Sequence, residues 1–485
     1  MEKSKKNSIV KNILHLFYST ALSNGLNAIA LIVLAHYLEQ HTYGMFSVVL
    51  AFAMIMGYFS DAGLSVIVLR EGSKKQVDIS NLISSYVKMR MGLLFASFLC
   101  GFIIFHIIHP GQPELIQTAY ILMIPMVSGI ALQSIGTTYF QLIEKMQYNG
   151  LIRIISSSCL VVTLLLGMFL HFDPLIICTL YGLSYLTAGI IGVYLVSKNV
   201  KIRLKSRFHK GLLHNLGSFT LGGLLFVLLP QLGPLVLENT IGLKEVGVFA
   251  VAYRIPQALQ QIPFIVAGAY YPVMFRAFNN NRLDDHLRHN IALLKIISLV
   301  GMAMTIPLYY MSDFVIHLLF SDKWIQAALP LKILSLLLTL QAINIALADG
   351  LTTRALQTYR TIVQLISVIS GVFLYILFSK FYGVVGAAFA GVVIEAIAFF
   401  GFWICIPNRW IIAKRVIVPY VSLFIVCLCS IDYFLGAFPL LAMAVHFVLL
   451  SLLVLVDKEN REKIHKYVKT LGINQRWKTK KPEGV

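Results

Sequence analysis

The chain has 485 residues, 58% of them hydrophobic and only 13% charged, with 40 Lys and Arg against 21 Asp and Glu and a formal net charge of +19. Its mean hydropathy is +0.79. A soluble chain of this length carries roughly a quarter of its residues charged, so a string of water-soluble domains is excluded.

The charge is confined to short segments between apolar runs of roughly 20 residues, enough to cross a hydrocarbon core about 30 Å thick as helices. Backbone groups in lipid must be satisfied within their own segment, so each run is read as a helix. In chain order, spans are predicted near 13–36, 43–67, 88–109, 115–140, 152–171 and 174–197. A second group follows near 215–239, 246–275, 291–311, 327–350, 361–380, 383–407, 416–435 and 438–456. The expected fold is an all-α polytopic membrane protein with about fourteen transmembrane helices, in two parallel six-helix lobes plus two C-terminal helices. The lobes are expected at 13–197 and 215–407 and the extra pair at 416–456. A cytoplasmic N-terminus covers 1–12, a basic cytoplasmic linker 198–214 and a basic cytoplasmic tail 457–485. The first run follows Lys3, Lys5, Lys6 and Lys11 like a signal peptide, but it is too long and lacks a small-residue cleavage site, so an uncleaved helix is expected. The stretch from Ser312 to Gln326 is partly apolar and is expected to lie along the membrane surface.

The distribution of charge sets the orientation. Thirty-five of the 40 Lys and Arg fall on alternate sides of these spans, before the first and after every even-numbered one. The opposite side holds only Lys244, Lys323 and Lys380, while Arg254 and Lys332 fall within spans. This is the positive-inside pattern, and it places both termini in the cytoplasm of a cell-membrane protein. The densest clusters run from Lys198 to Lys210 and from Lys458 to Lys481. Orientation and attraction to anionic lipid account for them, and nucleic acid is not needed. The six cysteines all lie in apolar spans without metal or redox spacing, and read as packing residues. No phosphate loop, zinc signature or nucleophile motif is present, so neither enzyme activity nor a cofactor or metal is expected. All outer loops are short, which leaves no room for a large external catalytic segment.

A repeat points to transport. Tyr43-Gly44-Met45-Phe46-Ser47-Val48 opens the second span, and Val246-Gly247-Val248-Phe249-Ala250-Val251 opens the eighth, 203 positions later. Tyr148 with Ile154-Ile155-Ser156 matches Tyr359 with Leu365-Ile366-Ser367, 211 positions later. Both offsets map a span onto the sixth after it, so the halves share orientation, and a substrate site is expected between them.

Asp61-Ala62-Gly63-Leu64, followed by Arg70-Glu71, resembles the loop after the second span of bacterial polysaccharide flippases. The stretch from Val246 to Pro256 is similar to their eighth span, and Tyr382-Gly383-Val384-Val385-Gly386-Ala387-Ala388 to the opening of their twelfth. The family is the polysaccharide transporter branch of the multidrug/oligosaccharidyl-lipid/polysaccharide exporter superfamily. The resemblance implies translocation of an undecaprenyl-pyrophosphate-linked oligosaccharide to the outer leaflet by alternating access, for cell-surface polysaccharide biosynthesis. It implies other polysaccharide-assembly membrane proteins as partners.

Such a substrate needs polar groups facing a cavity and a cation for its phosphates. Ser19, Ser23 and Asn27 share one face of the first span, with Asn24 adjacent. Arg254, Gln257 and Gln261 share a face of the eighth span, and Gln341, Asn344 and Asp349 lie on the tenth. Substrate contact is assigned to Arg254, Gln257, Gln261, Asn24 and Asn27. Hydrogen bonding between packed helices is the competing reading for the amides. For Arg254 the competing readings are a structural pair with Glu238 or snorkelling outward. Lys332 is read as a snorkelling lysine. Coupling or gating is assigned to Asp61, Arg70, Glu71, Asp349 and Glu395, with helix packing or topology as the alternative. Two rival functions stay open. One is a multidrug-type small-molecule antiporter or a flippase for the peptidoglycan lipid precursor, and the other a membrane-embedded glycan polymerase or acyltransferase.

Overall fold

The computed structural model describes residues 2–74, 77–203, 205–214, 216–457 and 461, and no side chains for residues 2–17, 218 and 219. Apart from Asp457 and Arg461, the basic tail with its cluster from Lys458 to Lys481 lies outside the described residues. All of the described elements are helical. The first half comprises α1 (Glu2–Tyr37), α2 (Gln40–Phe59), α3 (Leu64–Gly72), α4 (Ile79–Ile108), α5 (Pro113–Leu142), α6 (Met146–Phe169) and α7 (Pro174–Asn199). The second comprises α8 (Leu216–Leu228), α9 (Leu232–Ile241), α10 (Leu243–Leu259), α11 (Gln261–Asn279), α12 (Leu283–Tyr310), α13 (Ser312–Phe320), α14 (Ala328–Leu334), α15 (Leu336–Thr352) and α16 (Gln357–Cys405). The last elements given a range among the described residues are α17 (Arg409–Ile412), α18 (Leu423–Leu435) and α19 (Pro439–Val456).

The breaks have local causes. Ala62 and Gly63, at φ 47° and 80°, end α2, and the Asp61 carboxylate then caps α3 by accepting from Ser65 N at 3.3 Å and Ser65 Oγ at 2.6 Å. Asp173 and Pro174 start α7 in the same way, with Leu175 N donating to Asp173 at 2.9 Å. The 49 residues of α16 would reach about 74 Å, more than twice a hydrocarbon core. Gly383, at φ 56° and ψ −138°, breaks it into two helices, and the reversal brings Gly386 against the Phe378 carbonyl, where a side chain has no room.

Twelve helical stretches among the described residues are long and apolar enough to cross a membrane. The expected count of about fourteen takes α16 twice and adds α10–α11, which is interrupted at Gln260 and carries Lys244, Glu245, Arg254 and three glutamines.

Within the first half, α5 packs on α7 through Gly129, Gly182 and Gly189, and α1 packs on α6. Within the second, α12 packs on α15, and α15 and α9 pack on α16. The halves meet along α2 and α10. Gly44 faces Gly247, and the 203-residue offset of the sequence repeat recurs as a reciprocal contact. A Cβ on Gly44 would stand 2.7 Å from the Leu243 carbonyl carbon, and one on Gly247 3.1 Å from that of Gln40.

Around this contact one buried cluster, including Leu34, Tyr43, Phe46, Phe249, Phe320 and Trp324, runs across both halves. At the other end each half keeps a cluster of its own, around Ile67, Ile83 and Tyr139 in one and Met274, Leu294 and Leu347 in the other. The segment from Ser312 to Gln326 forms α13 and a 3₁₀ turn, and the turn wedges into the first half. Trp324 is fully buried and donates Nε1 to Ala35 O at 2.9 Å. Lys323 Nζ donates to His36 O at 2.6 Å and Leu38 O at 3.0 Å, the carbonyls at the C-terminus of α1, which favour a cation.

Two polar clips hold the last helices. Lys332 is not a snorkelling lysine: its Nζ donates to Asp432 on α18 at 2.8 Å, beside Tyr309, whose hydroxyl donates to the same carboxylate at 3.1 Å. Lys295 and Tyr420 donate to Asp457 at 2.8 and 2.6 Å.

Candidate substrate cavity

The helices of the second half line a cavity of about 340 Å³, open on one side. Its apolar surfaces come from side chains such as Phe226, Phe264 and Phe402, and Met54 of α2 closes one wall. Its polar lining is dominated by side-chain amides: Gln231, Gln257, Gln260, Gln261, Gln341, Asn344 and Gln364. Asp349, Arg360, Ser367 and Glu395 complete it.

The amides are held in place by a buried carboxylate. Glu395 accepts from Gln341 Nε2 at 2.8 Å and from Asn344 Nδ2 at 2.7 Å, and Asn344 also donates to the Glu395 backbone carbonyl at 3.0 Å. With their nitrogens turned to Glu395, Gln341 Oε1 and Asn344 Oδ1 are left buried without a partner, as is Gln260 Nε2. Buried polar atoms are nearly always satisfied in native proteins, so unpaired amide atoms gathered in one cavity wall mark a place for a hydrogen-bonding ligand. Both donors and acceptors are on offer, which suits hydroxyl groups.

Arg254 stands where the halves meet. Its Nη1 donates to Gln257 Oε1 at 3.0 Å and its Nε to the Tyr43 hydroxyl of α2 at 3.4 Å. It lines a crevice with Ser47, Gln231, Pro234 and Tyr253, and Gln231 and Gln257 also line the cavity. The pair with Glu238 is not formed. That carboxylate bonds His109 Nε2 at 2.6 Å and accepts from Asn239 at 3.0 Å. Two turns along, Gln261 Oε1 accepts from Asn24 Nδ2 of α1 at 3.2 Å, joining the polar faces of the first and eighth predicted spans. Asn27 is half-buried and does not line the cavity.

The remaining charged candidates are paired. Asp349 lies in the cavity wall 3.8 Å from Arg360, which also donates to Thr352 at 3.1 Å. Asp61 and the fully buried Arg90 form an ion pair beside Tyr86. Glu71 pairs with Arg70 at 3.2 Å and Lys74 at 2.5 Å, and Arg70 also donates to His214 O at 3.1 Å. These three motif residues sit apart from the cavity, beneath the segment joining the halves. Ser84 and Ser85 on α4 accept from Arg203 N and His209 N of that segment, each at 2.9 Å.

Of the cavity's polar residues, Gln257, Gln261, Gln341, Asn344, Asp349 and Glu395 are among those singled out from the sequence, and Gln231, Gln260 and Gln364 are not. The available signal was the density of glutamines inside apolar runs. It was weak, because only the folded helices bring positions more than a hundred residues apart to one wall.

The family described as Polysaccharide biosynthesis protein matches residues 9–278, more than half of the chain. The lipopolysaccharide biosynthesis protein WzxC of Escherichia coli is 22% identical over 359 residues, covering 70% of this chain and 68% of that protein. Among solved structures, the lipid II flippase MurJ in an inward closed conformation aligns with a TM-score of 0.66 at 16% identity, covering 91% of this chain and 99% of that one. A multidrug resistance MATE family transporter of the MOP superfamily, inward-facing, aligns at 0.67 and 14% identity, covering 81% and 95%. The fold is thus the one shared by that flippase and that transporter. The chain belongs to the polysaccharide biosynthesis protein family.

Proposed function

We propose that this protein carries an undecaprenyl-pyrophosphate-linked oligosaccharide across the cytoplasmic membrane by alternating access between its two halves. The observation that carries the reading is the amide-lined cavity with unpaired donor and acceptor atoms, joined through Gln257 to an arginine that has no carboxylate partner among the described residues. Sugar hydroxyls match the amides, and a guanidinium matches a phosphate oxygen pair. The apolar lipid need not enter, since its chain can stay in the bilayer while the head group passes between the helices.

The tie between the halves around Gly44, Gly247 and Trp324 corresponds to a molecule closed on the side assigned to the outside. Glu395 is the candidate for a coupling cation: it is buried, faces the cavity, and takes its hydrogen bonds from neutral amides. Both termini are placed in the cytoplasm by the charge pattern, and anionic lipid meets the basic inner segments.

The test is reconstitution. Vesicles holding the purified protein and a fluorescent lipid-linked oligosaccharide should move the label between leaflets, and an imposed proton or sodium gradient should change the rate in wild type but not in Glu395→Gln. Efflux of cationic dyes without movement of the glycolipid would replace this reading with a small-molecule antiporter. Polymerised glycan in the vesicles would replace it with an enzyme.

A further inference from the structure

Some cations of the helical region have a carboxylate partner and others do not. Arg90, Lys295, Lys332 and Arg360 each face a carboxylate: Asp61, Asp457, Asp432 and Asp349. Arg254 and Arg153 face none among the described residues. A cation that faces the helical interior without a counter-charge is available to an anionic ligand.

Arg153 lies on α6, seven residues from its start, so about 10 Å along the helix. It stands in the middle of the stripe formed by Asn149, Ser156, Ser157, Leu160 and Leu164, all buried, and opposite the exposed Leu151, Val162, Leu165, Leu166 and Phe169. It therefore faces the interior of the first half and not lipid, yet it is itself exposed.

Its Nε donates to Asn149 Oδ1 at 3.1 Å, which aims the guanidinium, and Asn149 is anchored in turn to Thr137 O at 3.3 Å. Nη1 and Nη2, the edge that binds an oxygen pair, have no partner among the described residues. From there a polar wall continues: Ser156 accepts from Gln133 at 3.2 Å, Gln133 donates to Tyr185 O at 2.8 Å, and the Tyr185 side chain lies within reach of the Arg254 charge. The Arg153 carbonyl accepts from Ser23, next to Asn24, which bonds Gln261. That sets the Arg153 backbone level with Gln261, two helical turns or about 10 Å along the chain from Arg254.

We propose that Arg153 is a second anion-binding residue, which takes the diphosphate of the lipid-linked substrate on the cytoplasmic side before Arg254 receives it. The proposal rests on the flippase reading and adds an ordered two-cation path to it. A lipid diphosphate enters at head-group depth, where Arg153 stands, and Arg254 stands where the halves close.

The probe is farnesyl diphosphate, bound to the full chain in lipid nanodiscs and competed with inorganic pyrophosphate. Arg153→Gln is expected to weaken binding roughly ten- to hundredfold, and Arg153→Lys by less, since a lysine keeps the charge but not the fork. Both variants should unfold thermally where wild type does. If Arg153→Gln unfolds early, Arg153→Lys decides: weakened binding at unchanged melting supports the proposal, and unchanged binding overturns it. Wild-type affinity in a stable Arg153→Gln, with loss in Arg254→Gln, overturns this inference and leaves the flippase reading standing. No diphosphate binding by wild type itself overturns both.

Discussion

Arg254 can be tested apart from fold stability, because its neighbours are neutral. Tyr43 and Gln257 can be satisfied by water or by each other's surroundings once the guanidinium is gone, whereas a broken buried ion pair would leave a charge stranded. Arg254→Ala should therefore accumulate in the membrane at near-normal levels while transport falls. Loss of one charge-assisted contact is worth about 1.5–3 kcal/mol, or roughly ten- to hundredfold in affinity. Arg254→Lys should recover part of it. Complementation of glycan export, with protein level measured in the same cells, checks both, and full export by a well-expressed Arg254→Ala would remove this residue from the site. The arginine was legible in the sequence because an isolated charge in an apolar run needs no partner to be noticed. Arg153 was not, because it lies within a turn or two of a basic cytoplasmic boundary and passes there for one more orienting charge. Only its place on the buried stripe of α6 separates the two readings.

At the scale of elements, the contact between α2 and α10 carries the repeat. Helices approach this closely only where small residues face each other, and Gly44 and Gly247 are the equivalent positions of the two halves. Gly44→Val and Gly247→Val should each force the helices apart, at a cost of about 1–3 kcal/mol as in other overpacked sites. Thermal unfolding of the purified variants should show similar losses, while Gly25→Ala, with nothing within 4 Å, should show none. The same tie depends on the wedge from the second half. Lys323→Ala should loosen it, so that a cysteine at Ser47, buried in wild type, becomes reactive to an impermeant thiol reagent added outside. Protection equal to wild type would mean that the glycine contact alone closes this face. Helix positions were legible because lipid constrains every residue of a span. The wedge was not: Trp324 and Lys323 are recognised by backbone carbonyls of α1, some 285 residues away, and carbonyls leave no mark in a sequence.

For the whole molecule, parity constrains how many times the chain crosses. Twelve stretches qualify by length and apolar character. One of them, α16, is broken at Gly383 and too long for a single crossing, so it returns the chain to the side it left. The α10–α11 pair does not qualify, because the residues assigned here to substrate make it polar. If it crosses, everything after Asn280 keeps the orientation set by the charge pattern. If it does not, every later segment is inverted, and the basic segments beyond it face outward against the positive-inside rule. The cost of polar side chains in a span is met when they line a cavity, as Gln257, Gln260 and Gln261 do, so the pair is expected to cross. In a background without the six native cysteines, single cysteines at His41, Lys244 and Phe438 should then label from outside intact cells, and one at Lys205 should not. Phe438 is the informative position, since it lies beyond the disputed pair, is exposed, and sits in the short turn before α19. Labelling at His41 and Lys244 with protection at Phe438 would show that α10–α11 does not cross. Labelling at Lys205 would overturn the orientation of both halves, and with it the assignment of Trp324 to the outer face.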